Sequence, residues 1–176
     1  MAQLHPPVST NDHIQGSASA AIELVEYGDY QCPYCGQAYP IIKSLQRSLG
    51  KNLKFVFRNF PLTEMHPNAM NAALAAEAAA LQNKFWEMHD IIYENQQHLN
   101  DSNLLAYAEK IGLDLKRFKN DIKQQTLTDK IEQDFESGAR SGVNGTPSFY
   151  VNGKKYNGDW ELDAFEEFLR GVLEAV

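Results

Sequence analysis

The clearest alternation of apolar and polar positions is Ile22-Glu23-Leu24-Val25-Glu26-Tyr27, which reads as a β-strand over residues 21–27. A period of two puts Ile22, Leu24 and Glu26 on one face and Glu23, Val25 and Tyr27 on the other. From Pro33 to about Leu49 the period lengthens to that of a helix, with Tyr39, Ile42, Leu45 and Leu49 along one side. Pro33 suits the first helical turn, where its missing N–H breaks no bond. Pro40, inside the pattern, is expected to kink the helix, and Gly50 to stop it. Leu53-Lys54-Phe55-Val56-Phe57-Arg58-Asn59-Phe60 then reads as a second strand, closed by Pro61. Strand, helix and strand with short joins form a right-handed βαβ unit with parallel strands.

Residues 64–141 carry no good strand pattern. Helical spacing is predicted over Asn68–Leu81, Lys84–Gln96, Ser102–Ile111, Asp114–Ile122 (with an Asp cap) and Thr128–Ser141. Strand character returns at Thr146-Pro147-Ser148-Phe149-Tyr150-Val151. Asn152-Gly153 is a hairpin signal, Lys154-Lys155-Tyr156 the return strand, and Glu161–Val172 an amphipathic last helix. The order is β-α-β, a helical insertion, then β-β-α, which is an α/β chain. The expected organisation is an irregular, mobile lead-in over residues 1–20, a core made of 21–62 and 142–176, and a helical insertion at 63–141.

At 176 residues and 43% hydrophobic content, the chain can bury a core without disulfide staples. A net charge of -7 with no Lys/Arg cluster argues against a nucleic-acid partner. No apolar run approaches the roughly 18 residues that span a bilayer, so membrane insertion is not expected. The first ten residues have neither a basic nor an apolar leader region, and the first Lys or Arg is Lys43. A cytoplasmic location is therefore expected from the sequence as written, with a processed periplasmic or extracytoplasmic form as the alternative.

The only two cysteines form Cys32-Pro33-Tyr34-Cys35, between the first strand and the first helix. A structural disulfide across three residues would remove little chain entropy. Zinc wants four ligands, and the histidines at 5, 13, 66, 89 and 98 supply no matching pair, so no metal is expected. A reversible dithiol/disulfide couple remains. At a helix start, unsatisfied N–H groups and the positive dipole end stabilise a thiolate, moving its pKa from about 8.5 into a range of roughly 3.5–7.5. Cys32 is then the exposed nucleophile, and Cys35, one turn in, the shielded resolving thiol. Glu26 on the adjoining strand is the candidate base for Cys35, its pKa raised by burial.

These residues resemble the thioredoxin superfamily, and within it the DsbA-like bacterial thiol:disulfide oxidoreductases. The likeness spans about residues 12 to 175 and rests on four features. They are Glu-Tyr-Gly-Asp-Tyr-Gln-Cys-Pro-Tyr-Cys at 26–35, and Asn59-Phe60-Pro61-Leu62 followed by His66-Pro67 and an Ala-rich helix. The others are the helical block after the βαβ unit and Gly145-Thr146-Pro147-Ser148-Phe149. The resemblance implies a thioredoxin-like fold with a helical insertion between the second and third core strands. It implies disulfide exchange with protein substrates as oxidase or isomerase, with catalytic roles for Cys32, Cys35, Glu26 and Pro147. It also implies a cis bond at Thr146-Pro147, and substrate contacts from Pro33, Tyr34, Gly145 and Thr146, the last through strand-like backbone pairing. No cofactor beyond the Cys32-Cys35 disulfide is expected. Recycling falls to a redox partner protein or to glutathione, and the chain is expected to be a monomer.

Two departures leave the direction of electron flow open. Tyr34 stands where the best-known member has His, which implies a weaker oxidant, and Pro-Tyr is typical of glutaredoxins. Thr before the proline resembles the isomerase and reductase branches. The alternatives are a glutaredoxin- or thioredoxin-like cytoplasmic reductase, a kappa-type glutathione transferase relative (disfavoured because both cysteines are kept) and a non-catalytic redox-sensing, peptide-binding module. Of the remaining residues, Trp86, His89 and Tyr93 read as insertion core rather than a cofactor pocket. Arg58 reads as a strand-end charge or a thiolate tuner, Asp29 and Tyr30 as groove-shaping, and 129–136 as a solvated helix face.

Overall fold

The computed structural model describes residues 1–176. Its first strand, β1 (His13–Gly16), lies inside the stretch expected to be irregular and pairs antiparallel with a later strand. Four residues with one aliphatic side chain are too short a pattern to register in the sequence. Gly16 closes β1 at φ +105°, with its Cα so near the Leu53 carbonyl that a Cβ would lie 2.5 Å from that oxygen. Only glycine fits there.

The βαβ unit follows as predicted: β2 (Ile22–Gly28), α1 (Pro33–Leu49) and β3 (Leu53–Asn59), with β2 and β3 parallel from Ile22↔Leu53 to Gly28↔Asn59. Five helices come next, α2 (Ala69–Ala80), α3 (Phe85–Glu94), α4 (Asp101–Lys110), α5 (Leu115–Asp121) and α6 (Gln125–Ser141). Asp114 caps α5 by accepting the Arg117 N–H at 2.9 Å. The hairpin β4 (Ser148–Val151) and β5 (Lys154–Tyr156) turns through Asn152 and Gly153, both with positive φ, and α7 (Leu162–Glu174) ends the chain. The five-stranded sheet runs β1-β3-β2-β4-β5, so β2, which leads to the cysteines, is central.

Period-two alternation in β2 and β3 divides the core. Ile22, Leu24, Phe55 and Phe57 face α1, α7 and the insertion helices, and Val25, Tyr27 and Val56 face Leu4, Phe60 and Val143. A fully buried Leu such as Leu24 or Leu45 contributes about 1.5–3 kcal/mol by leaving water. Trp86, His89 and Tyr93 pack into the first core beside Phe57, Phe85 and Tyr30, as their stripe predicts.

Three expectations change here. Arg58 is neither solvated nor near a thiolate. It is 3% exposed on the face away from the cysteines, where Nε and Nη2 donate to Asp12 at 2.8 and 3.0 Å and Nη1 to Tyr27 Oη at 2.9 Å. Its remaining donors reach Pro6 O and Pro7 O, so the first residues are tied down, Leu4 N also donating to Gly153 O at 2.8 Å. The 129–136 stretch is not wholly solvated either, because Asp134 is buried and accepts both the backbone and side-chain N–H of Asn59 at 3.0 Å.

Candidate active site

Between the end of β2 and the start of α1 the chain must turn within four residues, and Asp29 makes the turn. Its Oδ1 accepts the N–H of Gln31 at 2.7 Å and of Cys32 at 3.2 Å, an Asx turn, while Cys32 N also donates to Asp29 O at 3.1 Å. Cys32 is thereby the N-cap of α1 in extended conformation (φ -67°, ψ 123°), with Pro33 in the first turn. No side chain caps this helix end, so its free N–H groups point at the Cys32 sulfur.

Two longer-range contacts fix the turn. Asp29 Oδ2 accepts Leu62 N and His66 Nδ1, each at 2.8 Å. Gln96, just beyond α3, donates from Nε2 to Tyr30 O at 3.0 Å and to Cys32 O at 2.7 Å. Gly36 makes room for it, since a Cβ there would overlap the Gln96 amide. Asp29 and Tyr30 are each 1% exposed, so they support the site from within and do not line an open groove.

Across the gap stands the Gly145–Ser148 loop. Thr146-Pro147 is cis, as expected, and Cys32 Sγ donates to Thr146 O at 3.6 Å. Ser148 Oγ donates to Gly145 O at 2.7 Å and shapes the loop. Cys32 is only 4% exposed, a correction to the freely exposed thiol expected, because this loop covers it. Tyr34, at 61%, is the exposed member of the C-x-x-C stretch.

Beneath the pair, Glu26 occupies the position the alternation gave it, in register with Phe57 on one side and Phe149 on the other. Gly28 lets the Phe57 ring close over it, for a Cβ would lie 2.5 Å from the ring and 3.0 Å from Glu26 Oε1. Burial, and then the negative charge of Cys32, pushes Glu26 up to about 8. Cys32 falls to about 5, chiefly through the hydrogen bond from Cys35, helped by Thr146 and by the N–H groups of Cys35 and Tyr34. Cys35 goes the other way, raised by burial and by its bond to Cys32. Both cysteines are free thiols. One sulfur is thus poised as a thiolate and its neighbour held as a thiol beside a protonated acid. No group of three or more His, Cys, Asp or Glu side chains is placed to hold a metal.

The sequence model of the family described as Thioredoxin matches residues 8–170. The chain belongs to the thioredoxin family. Its fold is shared with the thiol-disulfide exchange protein alpha-DsbA2 of Wolbachia pipientis, at a TM-score of 0.82 and 22% identity over 96% of this chain and 89% of that one. It superposes on a thioredoxin-like oxidoreductase from Silicibacter pomeroyi with a TM-score of 0.84 and 27% identity, covering 96% of this chain and 95% of that one. On oxidised BdbD from Bacillus subtilis the TM-score is 0.86 at 23% identity, covering 98% of each chain, which is a likeness of fold. It is also 43% identical over 153 residues to the Na(+)/H(+) antiporter NhaA 1 of Salinispora arenicola, covering 87% of this chain and 23% of that protein. The chain spans about a quarter of the length of such relatives. The transport that name states belongs to the longer protein, and no helix here is long and apolar enough to cross a membrane.

The cytoplasmic expectation does not stand. It rested on how the sequence begins, which says nothing of what precedes it, whereas the DsbA-like proteins sharing this fold are periplasmic.

Of the residues named from sequence, Cys32, Cys35, Glu26, Thr146 and Pro147 come together, and Pro33, Tyr34 and Gly145 adjoin them along the chain. Gln96 and His66 were missed as contributors. Gln96 left no signal except the glycine that follows Cys35, and His66 stood in a recognised motif without a role.

Proposed function

We propose that this chain oxidises protein dithiols, handing over the Cys32-Cys35 disulfide and taking two electrons in return. The observation that carries the direction is the unequal pair. A helix-tip Cys32 lowered to about 5 beside a Cys35 raised by burial stabilises the reduced form, and a couple with a stabilised reduced form is an oxidant.

A substrate thiolate attacks Cys32 Sγ of the disulfide, and Cys35 leaves. Glu26, protonated up to about pH 8, gives its proton to the departing Cys35 sulfur. A second substrate thiolate attacks the substrate sulfur of the mixed disulfide and releases Cys32 as a thiolate. The substrate ends with a disulfide, the pair with one thiol and one thiolate, and Glu26 recovers its proton from water. Thr146 offers its backbone to an extended substrate segment, Pro147 sets that loop against Cys32, and Gly145, Pro33 and Tyr34 form the contact rim. The buried Thr146 hydroxyl, which has no partner while Cys32 is a thiol, is a donor available to the thiolate. A monomer outside the cytoplasm suits this role, reoxidised by a partner protein or by oxidised glutathione.

Oxidation of a reduced dithiol peptide by pre-oxidised protein tests the proposal. Cys32→Ser is expected to be inactive, and Cys35→Ser, with no disulfide to hand over, not to oxidise the peptide but to trap a mixed disulfide when its Cys32 attacks the peptide supplied as its disulfide. A wild-type protein that only reduces disulfides, and never oxidises the peptide, reverses the direction.

A further inference from the structure

Asp29 is a buried carboxylate that the exchange chemistry above does not use. Its side chain is fully buried, yet all its acceptor capacity is taken by Gln31 N, Cys32 N, Leu62 N and His66 Nδ1. All four donors suit the carboxylate form. Asp29 therefore places a second anion at the helix end where the Cys32 thiolate forms. Two like charges at one helix N-terminus oppose each other, and the cost to the thiolate depends on how well Asp29 is neutralised. His66 is the one side chain that hydrogen-bonds the Asp29 carboxylate, at 2.8 Å and 15% exposed. The His66 ring belongs to the loop that also holds Thr63, Glu64 and Met65, all exposed.

The geometry points to Asp29 and His66 as a positioning pair that sets the stability of the Cys32 thiolate, and through it the potential of the couple. This rests on the reading of Cys32 as the nucleophile. Removing the Asp29 charge relieves repulsion, favours the thiolate and makes the couple more oxidising. Removing His66 takes one of four donors from Asp29, leaves its charge less offset, disfavours the thiolate and makes the couple less oxidising. A pair that only held the turn in place would move both measurements the same way, because either loss would loosen the same loop.

The test is the thiolate absorbance titration of Cys32 and the equilibrium with glutathione, for Asp29→Asn, His66→Ala and His66→Lys. Opposite shifts are expected for Asp29→Asn and His66→Ala, each about three- to tenfold in the glutathione equilibrium constant, or half to one pKa unit. His66→Lys keeps a donor beside Asp29 and is expected to return the titration to that of the parent or beyond it. Shifts of the same sign, or a His66→Ala protein that titrates like the parent, overturn the proposal. Should Asp29→Asn fail to fold, the two substitutions at the partly exposed His66 decide it alone. A parent Cys32 that titrates like a free thiol removes the nucleophile assignment itself, and this proposal with it.

Discussion

Glu26 shows at the scale of one residue how burial holds a proton on a carboxylate. Alternation alone placed it on the face with Ile22 and Leu24, nearest the cysteines, so its position was legible. Its environment came from partners far along the chain, Phe57 and Phe149 across the ladder and the missing side chain at Gly28. Asp29 was legible only as a turn residue. Two of its partners, Leu62 and His66, lie more than thirty residues away, and no local pattern announces them. The burial of Glu26 has a cost. The folded chain holds this proton to about pH 8, whereas the unfolded chain releases it near 4.5. The folded state binds more protons between those values, so the contribution of Glu26 is fully present below pH 4.5 and is lost as pH rises through about 8. Glu26→Gln is therefore expected to raise stability at pH 7 by about 1–3 kcal/mol in urea unfolding, a gain that fades on acidification. The same substitution should slow Cys35 release in stopped-flow exchange. A variant with unchanged pH dependence of stability, or with full exchange rates, speaks against a buried proton on Glu26.

At the scale of elements, the seven α-helices and the strands β2 and β3 could be read from periodicity, and the short β4 and β5 from the Asn152-Gly153 turn signal between them. β1 could not, being four residues held by pairing with β3. Nor could the way the insertion touches the reactive turn. The aromatic stripe on α3 announced burial, but the hydrogen bonds of Gln96 to Tyr30 O and Cys32 O depend on how α3 docks against α1. That docking can be tested with a double-mutant cycle. Gly36→Ala forces the Gln96 amide out of place and is expected to lower stability by roughly 1–3 kcal/mol. Gln96→Ala relieves the overlap, so the double mutant should be less damaged than the sum of the single changes. Strict additivity in urea unfolding would mean that the two residues do not meet.

At the scale of the molecule, the sheet, the insertion and the cis-proline loop converge on one sulfur. The fold class was legible from the order β-α-β, helices, β-β-α, and the resemblance sharpened it. The compartment was not, since it depends on more than the start of a sequence. A thiol whose folded pKa of about 5 lies below its ordinary 9.0 gives up its proton on folding. Its stabilisation is full above the ordinary value, shrinks as pH falls and is gone below about 5. Reduced protein should then melt above oxidised protein at pH 8, with the gap narrowing towards pH 5, as calorimetry on the two forms would show. The most direct measurement is the reduction potential of the Cys32-Cys35 couple against glutathione. A couple more oxidising than about -200 mV, short of the roughly -120 mV of DsbA, is the expected result. A value near the -270 mV or so of thioredoxin would contradict the account, because the reduced form would then lack the stabilised thiolate on which the proposed direction depends.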